Sequence, residues 1–212
     1  MSRLLYIEAS PNKAASNSIA VAQAFLDSYR AAHPRDEIDR IDVWDIDLPP
    51  FDAEMIAAKF AVLRTTEATE AQRARWAQAT AIARRFNAAD KYLIATPMWN
   101  YSLPYRLKHF IDIVTLPGEN WFWTRDTGYV GLLKDKKAAA IYTSANDHAP
   151  PTADGDGDGD DYQKGLLRRW LRLIGVTDVA EITLAPTLTD AQSLASQRER
   201  AQNEARALAA RF

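Results

Sequence analysis

Residues 92–104 read YLIATPMWNYSLP, and this stretch decides the fold. Its first four residues, 92–95, form an apolar run that is too short for a helix and typical of a buried parallel strand. The loop that follows, residues 96–104, contains two prolines and two aromatic residues where a simple turn would use Gly, Asp or Ser. Open α/β sheets bind their ligands beyond the carboxyl ends of the strands. The sequence therefore predicts a functional loop at residues 96–104.

Short apolar runs elsewhere predict four more strands, at residues 4–7, 38–43, 138–143 and 179–184. Between the predicted strands lie segments whose apolar residues recur at helical spacing. Residues 44–70 are predicted to form an irregular excursion that ends in a short helix. Because strands that alternate with helices pair in parallel, we predict a single α/β domain over residues 1–212. Its core is a doubly wound five-stranded parallel sheet with helices on both faces.

The composition excludes several classes of protein. A net charge of −2 argues against a nucleic-acid partner, which requires a concentrated basic surface. The absence of cysteine excludes disulfides, zinc–thiolate sites, iron–sulfur clusters and thiol nucleophiles. No apolar run approaches the length that spans a bilayer, and the N-terminus lacks the apolar region of a signal peptide. We therefore expect a cytoplasmic protein without a membrane partner.

Two features of the sequence resemble metal sites, and neither predicts one. The three histidines, His33, His109 and His148, are scattered and have no ligand spacing. Residues 154–161 read DGDGDGDD, like the start of a calcium loop, but the position that should hold a bidentate Glu is Gly165. We expect no metal, and we interpret residues 154–161 as an acidic, mobile loop at the mouth of the site.

The loop after the first strand offers hydroxyl and amide donors at the start of a helix. It lacks both the Gly-x-Gly-x-x-Gly spacing of a dinucleotide site and the Gly-Lys-Ser/Thr of a P-loop. Ser10, Ser16, Asn17 and Ser18 fit a compact monophosphate, because the N-terminus of a helix favours an anion. The alternative is that Ser16 or Ser18 simply caps the helix.

The other two loops are suited to a flat ring. Met98 and Trp99 supply polarizable surface, and Asn100 brings both a donor and an acceptor. The alternative is a hydrophobic loop that closes over the core. The third loop, residues 143–148, is small and polar, and by itself it is a weak indication of a binding site.

Together these loops resemble those of the FMN-dependent NADH:quinone oxidoreductase/azoreductase family, a flavodoxin-like group of homodimers. The most specific matching segment is Pro-Met-x-Asn at residues 97–100. Residues 107–112 (LKHFID), 131–137 (GLLKDKK) and 170–178 (WLRLIGVTD) also match, so the resemblance covers nearly the whole chain. It implies a flavodoxin-like sheet of strand order 2-1-3-4-5, bound FMN and a homodimer.

By position, the resemblance implies three sets of cofactor-binding residues. The phosphate loop falls on Ser10, Ser16, Asn17 and Ser18. The isoalloxazine loop falls on Pro97, Met98, Trp99, Asn100 and Tyr101. The third loop falls on Ser144, Ala145, Asn146 and Asp147. It departs from the family's Ser-Arg-Gly-Gly-like turn, because Asn146 and Asp147 stand where that turn has glycines and make close approach of the backbone to the ring harder.

The resemblance also implies a substrate pocket walled by aromatic residues. The matching positions are Trp123, which corresponds to the hairpin region of the family, and Trp170, in the helix before the fifth strand. Tryptophans there would favour flat acceptors that stack on the flavin. The alternative for Trp170 is a place in the core, since it lies on the apolar stripe of its helix.

The activity implied is a ping-pong transfer of two electrons from NADH or NADPH, through FMN, to quinones or azo aromatic compounds. The cofactor carries this chemistry, so no catalytic side chain is nominated. One alternative is a non-enzymatic, flavodoxin-type electron carrier, although such carriers are usually shorter and strongly acidic. A second alternative is a binding or interaction module.

Overall fold

The computed structural model describes residues 1–63, 68–149 and 159–212, without the side chains of residues 62 and 63. The strands are β1 (Arg3–Glu8), β2 (Glu37–Asp42), β3 (Lys91–Pro97), β4 (Trp121–Thr124), β5 (Gly128–Gly131), β6 (Lys137–Thr143) and β7 (Asp178–Leu184). Five of them form one sheet in the order β2-β1-β3-β6-β7, and every pairing in it is parallel. Counted without the separate β4–β5 pair, this is the predicted order 2-1-3-4-5, which is confirmed.

Helices cover both faces of the sheet, as predicted. They are α1 (Asn17–Ala32), α2 (Ala53–Leu63), α3 (Glu70–Asn87), α4 (Tyr105–Val114), α5 (Tyr162–Ile174) and α6 (Ala191–Ala209). Side chains of α1 and α6 form the core on one face, and those of α2, α3, α4 and α5 form it on the other. The excursion predicted at residues 44–70 contains α2.

The two cores follow from the alternation of side chains along each strand. In β1, Leu4 and Tyr6 join the core beneath α1 and α6, whereas Leu5 and Ile7 join the opposite core. All four are buried, which explains why this strand is an unbroken apolar run rather than an alternating one. The apolar segment at residues 4–7 therefore predicts both the strand and its position inside the sheet.

Strands β4 and β5 form a separate antiparallel hairpin between α4 and β6. They were not among the predicted strands, because each has only four residues and neither has a clear alternation of apolar and polar side chains. No helix in the described part of the chain is long and apolar enough to cross a membrane.

Hydrogen bonds between neighbouring loops hold the carboxyl edge of the sheet together. The N–H of Ala9, just after β1, donates to the carbonyl of Ala95 at 3.0 Å. The N–H of Met98, just after β3, donates to the carbonyl of Thr143 at 2.7 Å. The loops that follow β1, β3 and β6 therefore lie side by side.

Candidate functional site

A cavity of about 570 Å³ opens at the carboxyl edge of the sheet. Four loops line it, with Ser10, Pro11, Asn12, Ala15, Ser16, Asn17, Pro97, Met98, Trp99, Thr143, Ser144, Ala145 and Thr187. Its volume is within the range typical of small-molecule sites. The structure thus brings together part of each of the three predicted residue sets and adds a fourth loop, the one after β7.

The serine loop forms one end of this cavity. Ser16 caps α1: its Oγ accepts a hydrogen bond from the N–H of Ile19 at 3.4 Å, and it lies 3.1 Å from Oγ of Ser18. Ser18 is completely buried behind Ser16 and does not line the cavity. Oγ of Ser10 accepts from the N–H of Asn12 at 3.4 Å. Capping and cavity lining are therefore not alternatives for Ser16, because the same side chain does both.

Two backbone donors at this helix start have no protein partner. In the described residues, the N–H groups of Asn17 and Ser18 make no hydrogen bond, since they belong to the first turn of α1. Unpaired N–H groups and the positive end of the helix dipole attract an anion. This end of the cavity therefore presents hydroxyl and amide donors suited to a phosphate.

A charged network fixes the short turn that precedes Ser16. Lys13 has φ +40° and its Nζ lies 3.3 Å from Oε1 of Glu8 and in direct contact with Asp42. Arg40 contacts the same two carboxylates at 2.9 and 3.0 Å. Burial acts to raise the pKa of Asp42, but hydrogen bonds from Lys13 and from the N–H of Trp44 outweigh it and lower the pKa. Both carboxylates lie on strands, so the network ties the loop to the sheet.

The second loop forms the apolar wall. Pro97, Met98 and Trp99 line the cavity, and Trp99 is held against Trp44 and Tyr105 at ring-centroid distances of 5.6 and 6.3 Å. Trp44 is itself anchored, because its Nε1 donates to the carbonyl of Ala9 at 3.0 Å. The predicted polarizable surface is therefore present and supported from behind.

Asn100 and Tyr101, also predicted to bind the cofactor, lie at the tip of a tight turn and do not line the cavity. Trp99 and Ser102 exchange two backbone hydrogen bonds of 2.9 Å, and the two residues between them have φ of +46° and +66°. Positive φ at both central positions is the geometry of a type I′ turn, which normally uses Asn and Gly. A tyrosine in this conformation is strained, and such strain concentrates at functional sites.

The third loop contributes less than predicted. Ser144 and Ala145 line the cavity, whereas Asn146 and Asp147 are exposed and lie outside its lining. The Oγ of Ser144 donates to the carbonyl of Asn146 at 2.7 Å, which closes the turn. The Asp147 carboxylate therefore does not face the ligand space.

Thr187 was missed from the sequence. It follows β7, and both its N–H and its Oγ donate to the carbonyl of Ser144, at 2.9 and 3.0 Å. The signal was available, because the rule that ligands bind at strand ends applies to the fifth strand of the sheet as well as to the first, third and fourth.

The assignment of Trp170 to the substrate pocket is corrected. Trp170 is 4% exposed, its Nε1 donates to Oγ1 of Thr115 at 2.8 Å, and its ring packs on Phe86 at 5.5 Å. Its position on the apolar stripe of α5 buries Trp170 in the core, which is the alternative given in the sequence analysis. Trp123 is 57% exposed on β4 and is not part of the cavity lining of this chain.

Most of the acidic run, residues 154–158, lies outside the described residues. Of the rest, Asp160 Oδ1 lies 2.7 Å from Nδ1 of His148, and Asp161 caps α5 by accepting from the N–H of Lys164 at 3.0 Å. Among the residues that the structure describes, no three His, Asp or Glu side chains are grouped to hold a metal ion.

Comparison with known proteins agrees with the fold. The family model described as a flavodoxin-like fold matches residues 2–209. Azoreductase from Bacillus anthracis str. Sterne superposes with a TM-score of 0.89 at 24% identity, with both chains fully covered. An FMN-dependent NADH-azoreductase from Bacillus anthracis str. Ames Ancestor, solved in complex with FMN, has a TM-score of 0.86 at 24% identity and covers 100% of this chain and 99% of its own.

Curated relatives are more similar in sequence. FMN-dependent NADH:quinone oxidoreductase 9 of Burkholderia lata is 41% identical over the full length of both chains. An FMN-dependent NADH:quinone oxidoreductase of Desulfotalea psychrophila is 40% identical over 91% of this chain and 89% of its own. The chain therefore belongs to the flavodoxin-like fold family and, within it, to the family of the FMN-dependent NADH:quinone oxidoreductases.

Proposed function

We propose that this protein is an FMN-dependent oxidoreductase that passes two electrons from NADH or NADPH to quinones and azo aromatic compounds by a ping-pong mechanism. The observation that carries the proposal is one cavity in which phosphate-type donors at Ser10, Ser16 and Asn17 face an apolar wall at Met98 and Trp99. A phosphorylated flat ring needs both environments at once. In support, the curated relatives are named FMN-dependent NADH:quinone oxidoreductases, and the structural neighbours are named azoreductases.

The residues present fit FMN. Ser10, Ser16 and Asn17, together with the unpaired N–H groups of Asn17 and Ser18, would hold the phosphate, and Ser18 would orient Ser16 from behind. Pro97, Met98 and Trp99 would lie against the ring system. Ser144, Ala145 and Thr187 would bound the remaining side. The site as a whole belongs to a single FMN-binding domain.

Bound FMN would supply the two-electron chemistry, taking a hydride equivalent from the donor and passing two electrons to the acceptor. The chain's own residues bind and orient. Trp99, buttressed by Trp44 and Tyr105, restricts the space beside the ring to flat molecules. The strained turn at Asn100 and Tyr101 sets the position of Trp99, because Trp99 is its first residue.

A homodimer is part of the proposal. The hairpin carries three exposed aromatic side chains, Phe122, Trp123 and Tyr129, at 37%, 57% and 64% exposure. Trp123 and Tyr129 are cross-strand partners on one face of the hairpin, and Phe122 lies on the other face. Exposed aromatic residues are typical of protein interfaces. A second copy of the chain would cover them, and this is the role we propose for Trp123. The cytoplasmic location of the protein stays a prediction.

The activity predicts that two substrates use one site in turn. Purified protein reconstituted with FMN and desalted should keep the yellow flavin spectrum, lose its absorbance on anaerobic addition of NADH, and regain it when a quinone or an azo dye is added. Initial rates measured against both substrates should give parallel double-reciprocal lines, as expected when the donor leaves before the acceptor binds. Intersecting lines would contradict the ping-pong order, and no retained flavin would contradict the whole assignment.

Acid is expected to weaken FMN binding through Asp42. Because the pKa of Asp42 is lowered in the folded protein, its contact with Lys13 is complete above the ordinary carboxyl pKa of about 4 and is lost only as the pH falls through that lowered pKa. The FMN phosphate ionises near pH 6, which gives an earlier, separate step. Dissociation constants of FMN should be measured from pH 7 downwards through the lowered pKa of Asp42, as far as circular dichroism shows that the chain stays folded.

The matched variant for this test is Asp42→Asn, which keeps the shape of the side chain but carries no charge. It should bind FMN about threefold more weakly at pH 7, the size of a modest ionic contact, and should lack the step below about pH 4. If Asp42→Asn kept the acid dependence of the wild type, the network around Lys13 would not be what holds the loop.

A further inference from the structure

Arg198 reaches the phosphate end of the cavity from the far end of the sequence. It lies on α6, and its Nη2 donates to Oδ1 of Asn17 at 2.6 Å. The position of α6 is fixed by packing along α1, and Gln202, one turn further on, donates to the carbonyl of Ala20 at 3.2 Å. A guanidinium group is therefore held beside the first residue of α1.

Of the cationic side chains that contact the serine loop, Arg198 is the one that has no counter-charge within the described part of the chain. Lys13 is already matched by Glu8 and Asp42. Among the described residues, Arg198 has no carboxylate within ion-pair distance, and its Nε is buried with no hydrogen-bond partner. The guanidinium group as a whole is half-buried, so its positive charge is neither matched by a carboxylate nor fully exposed to solvent. The charge at this place is suited to an anion.

The bond to Arg198 also decides which end of the Asn17 amide is free. A guanidinium group can only donate, so it must face the amide oxygen. The Nδ2 group of Asn17 then keeps both of its hydrogens, and it makes no hydrogen bond to any described residue. Because Asn17 lines the cavity, its donors are available to a ligand oxygen.

We propose that Arg198 is a positioning residue for the flavin phosphate: it holds Asn17 with its donors free and supplies the positive charge that makes the site prefer FMN to riboflavin. The proposal rests on the proposed function, because it presumes that a flavin binds in this cavity. The proposal concerns only the phosphate, so it can be tested separately from the binding of the flavin ring.

The test compares two ligands that differ only in the phosphate. Dissociation constants of FMN and of riboflavin would be measured by flavin fluorescence for the wild type, Arg198→Met and Arg198→Lys. Arg198→Met should bind FMN about tenfold more weakly, the loss expected for one hydrogen bond to a charged group, while riboflavin binding stays within about twofold. Arg198→Lys keeps the charge and should recover part of the loss.

A matched control is Arg200→Met, on the same helix, because Arg200 is exposed and the variant removes an equal charge from the protein. It should leave both constants unchanged. The double variant Asn17→Ala/Arg198→Met should lose less than the sum of the two single losses, because Arg198 acts partly through Asn17. If Arg198 only stabilised the fold, the losses of FMN affinity in the two single variants would simply add in the double variant.

The outcomes are distinguishable. If Arg198→Met and Arg200→Met have the same ratio of FMN to riboflavin affinity as the wild type, the role of Arg198 is wrong while the proposed function stands. If the wild type binds neither flavin, both fall together. If Arg198→Met does not fold, Arg198→Lys and Asn17→Asp decide the question. Each of these variants should have a smaller ratio of FMN affinity to riboflavin affinity than the wild type.

Discussion

Ser16→Asp is expected to abolish useful FMN binding while leaving the folded protein as stable as before. Asp is as good a helix cap as Ser, and its negative charge favours the N-terminus of α1. The same carboxylate would stand where we propose that the phosphate binds, because Ser16 both caps the helix and lines the cavity. Loss of a donor to the phosphate and repulsion between like charges should weaken FMN binding by about a hundredfold or more.

Three comparisons isolate this effect. The Tm of flavin-free Ser16→Asp should stay within about 2 °C of the wild type or rise, whereas Ser16→Ala should lose about 1 kcal/mol of capping. Riboflavin, which has no phosphate, should bind Ser16→Asp within severalfold of the wild type. The reverse exchange, Asp190→Ser at the exposed cap of α6, should change neither FMN binding nor Tm appreciably. Retention of wild-type FMN affinity by Ser16→Asp would place the phosphate elsewhere.

Ser16 illustrates how far sequence reasoning can go. The position of the loop followed from a short apolar run, since such a run predicts a buried strand and ligands bind at strand ends. What the letters could not decide was whether Ser16 caps the helix or faces a ligand. That question depends on the position of the residue in three dimensions, and the structure shows that Ser16 both caps α1 and lines the cavity.

The predictions for Trp99 and Trp170 show where reasoning from the sequence failed. Trp99 and Trp170 are the same residue type and both were assigned to the ligand, but one lines the cavity and the other is buried on Phe86. The difference was present in the pattern, because Trp170 recurs at helical spacing with other apolar residues and Trp99 lies in a loop after a strand. Periodicity was therefore the better guide, and resemblance by position the worse one.

Thr187 and the β4–β5 hairpin were missed for a different reason. The strand-end rule could have indicated the loop of Thr187, but no local pattern encodes its contact with Ser144, 43 positions away in the sequence. The hairpin strands are short and irregular in polarity, so they carry little periodicity. Their place is decided instead by a close backbone approach to α5, which can be tested directly.

Gly131→Ala is expected to destabilise the protein by about 3 kcal/mol, which lowers Tm by about 6–12 °C. Gly131 ends β5, and a Cβ built on it would lie 2.2 Å from the backbone N of Gly175 and 2.5 Å from the carbonyl carbon of Ile174. These are backbone atoms at the end of α5, which cannot rotate away. Gly175 itself has φ +104° and caps that helix, so the clash would displace either the cap or the hairpin.

The same chemical change within α5 itself should change the stability in the opposite direction. Gly165 is exposed, lies within the helix, and an added Cβ there would meet nothing within 4 Å. Gly165→Ala should therefore stabilise the chain by about 0.5–1 kcal/mol, because alanine loses less conformational freedom in a helix. Thermal melts of both variants decide the matter. If Gly131→Ala had the Tm of the wild type, the hairpin would not be packed against α5. Opposite shifts of Tm in the two variants would show that the close contact at Gly131, and not the added methyl group, causes the loss of stability.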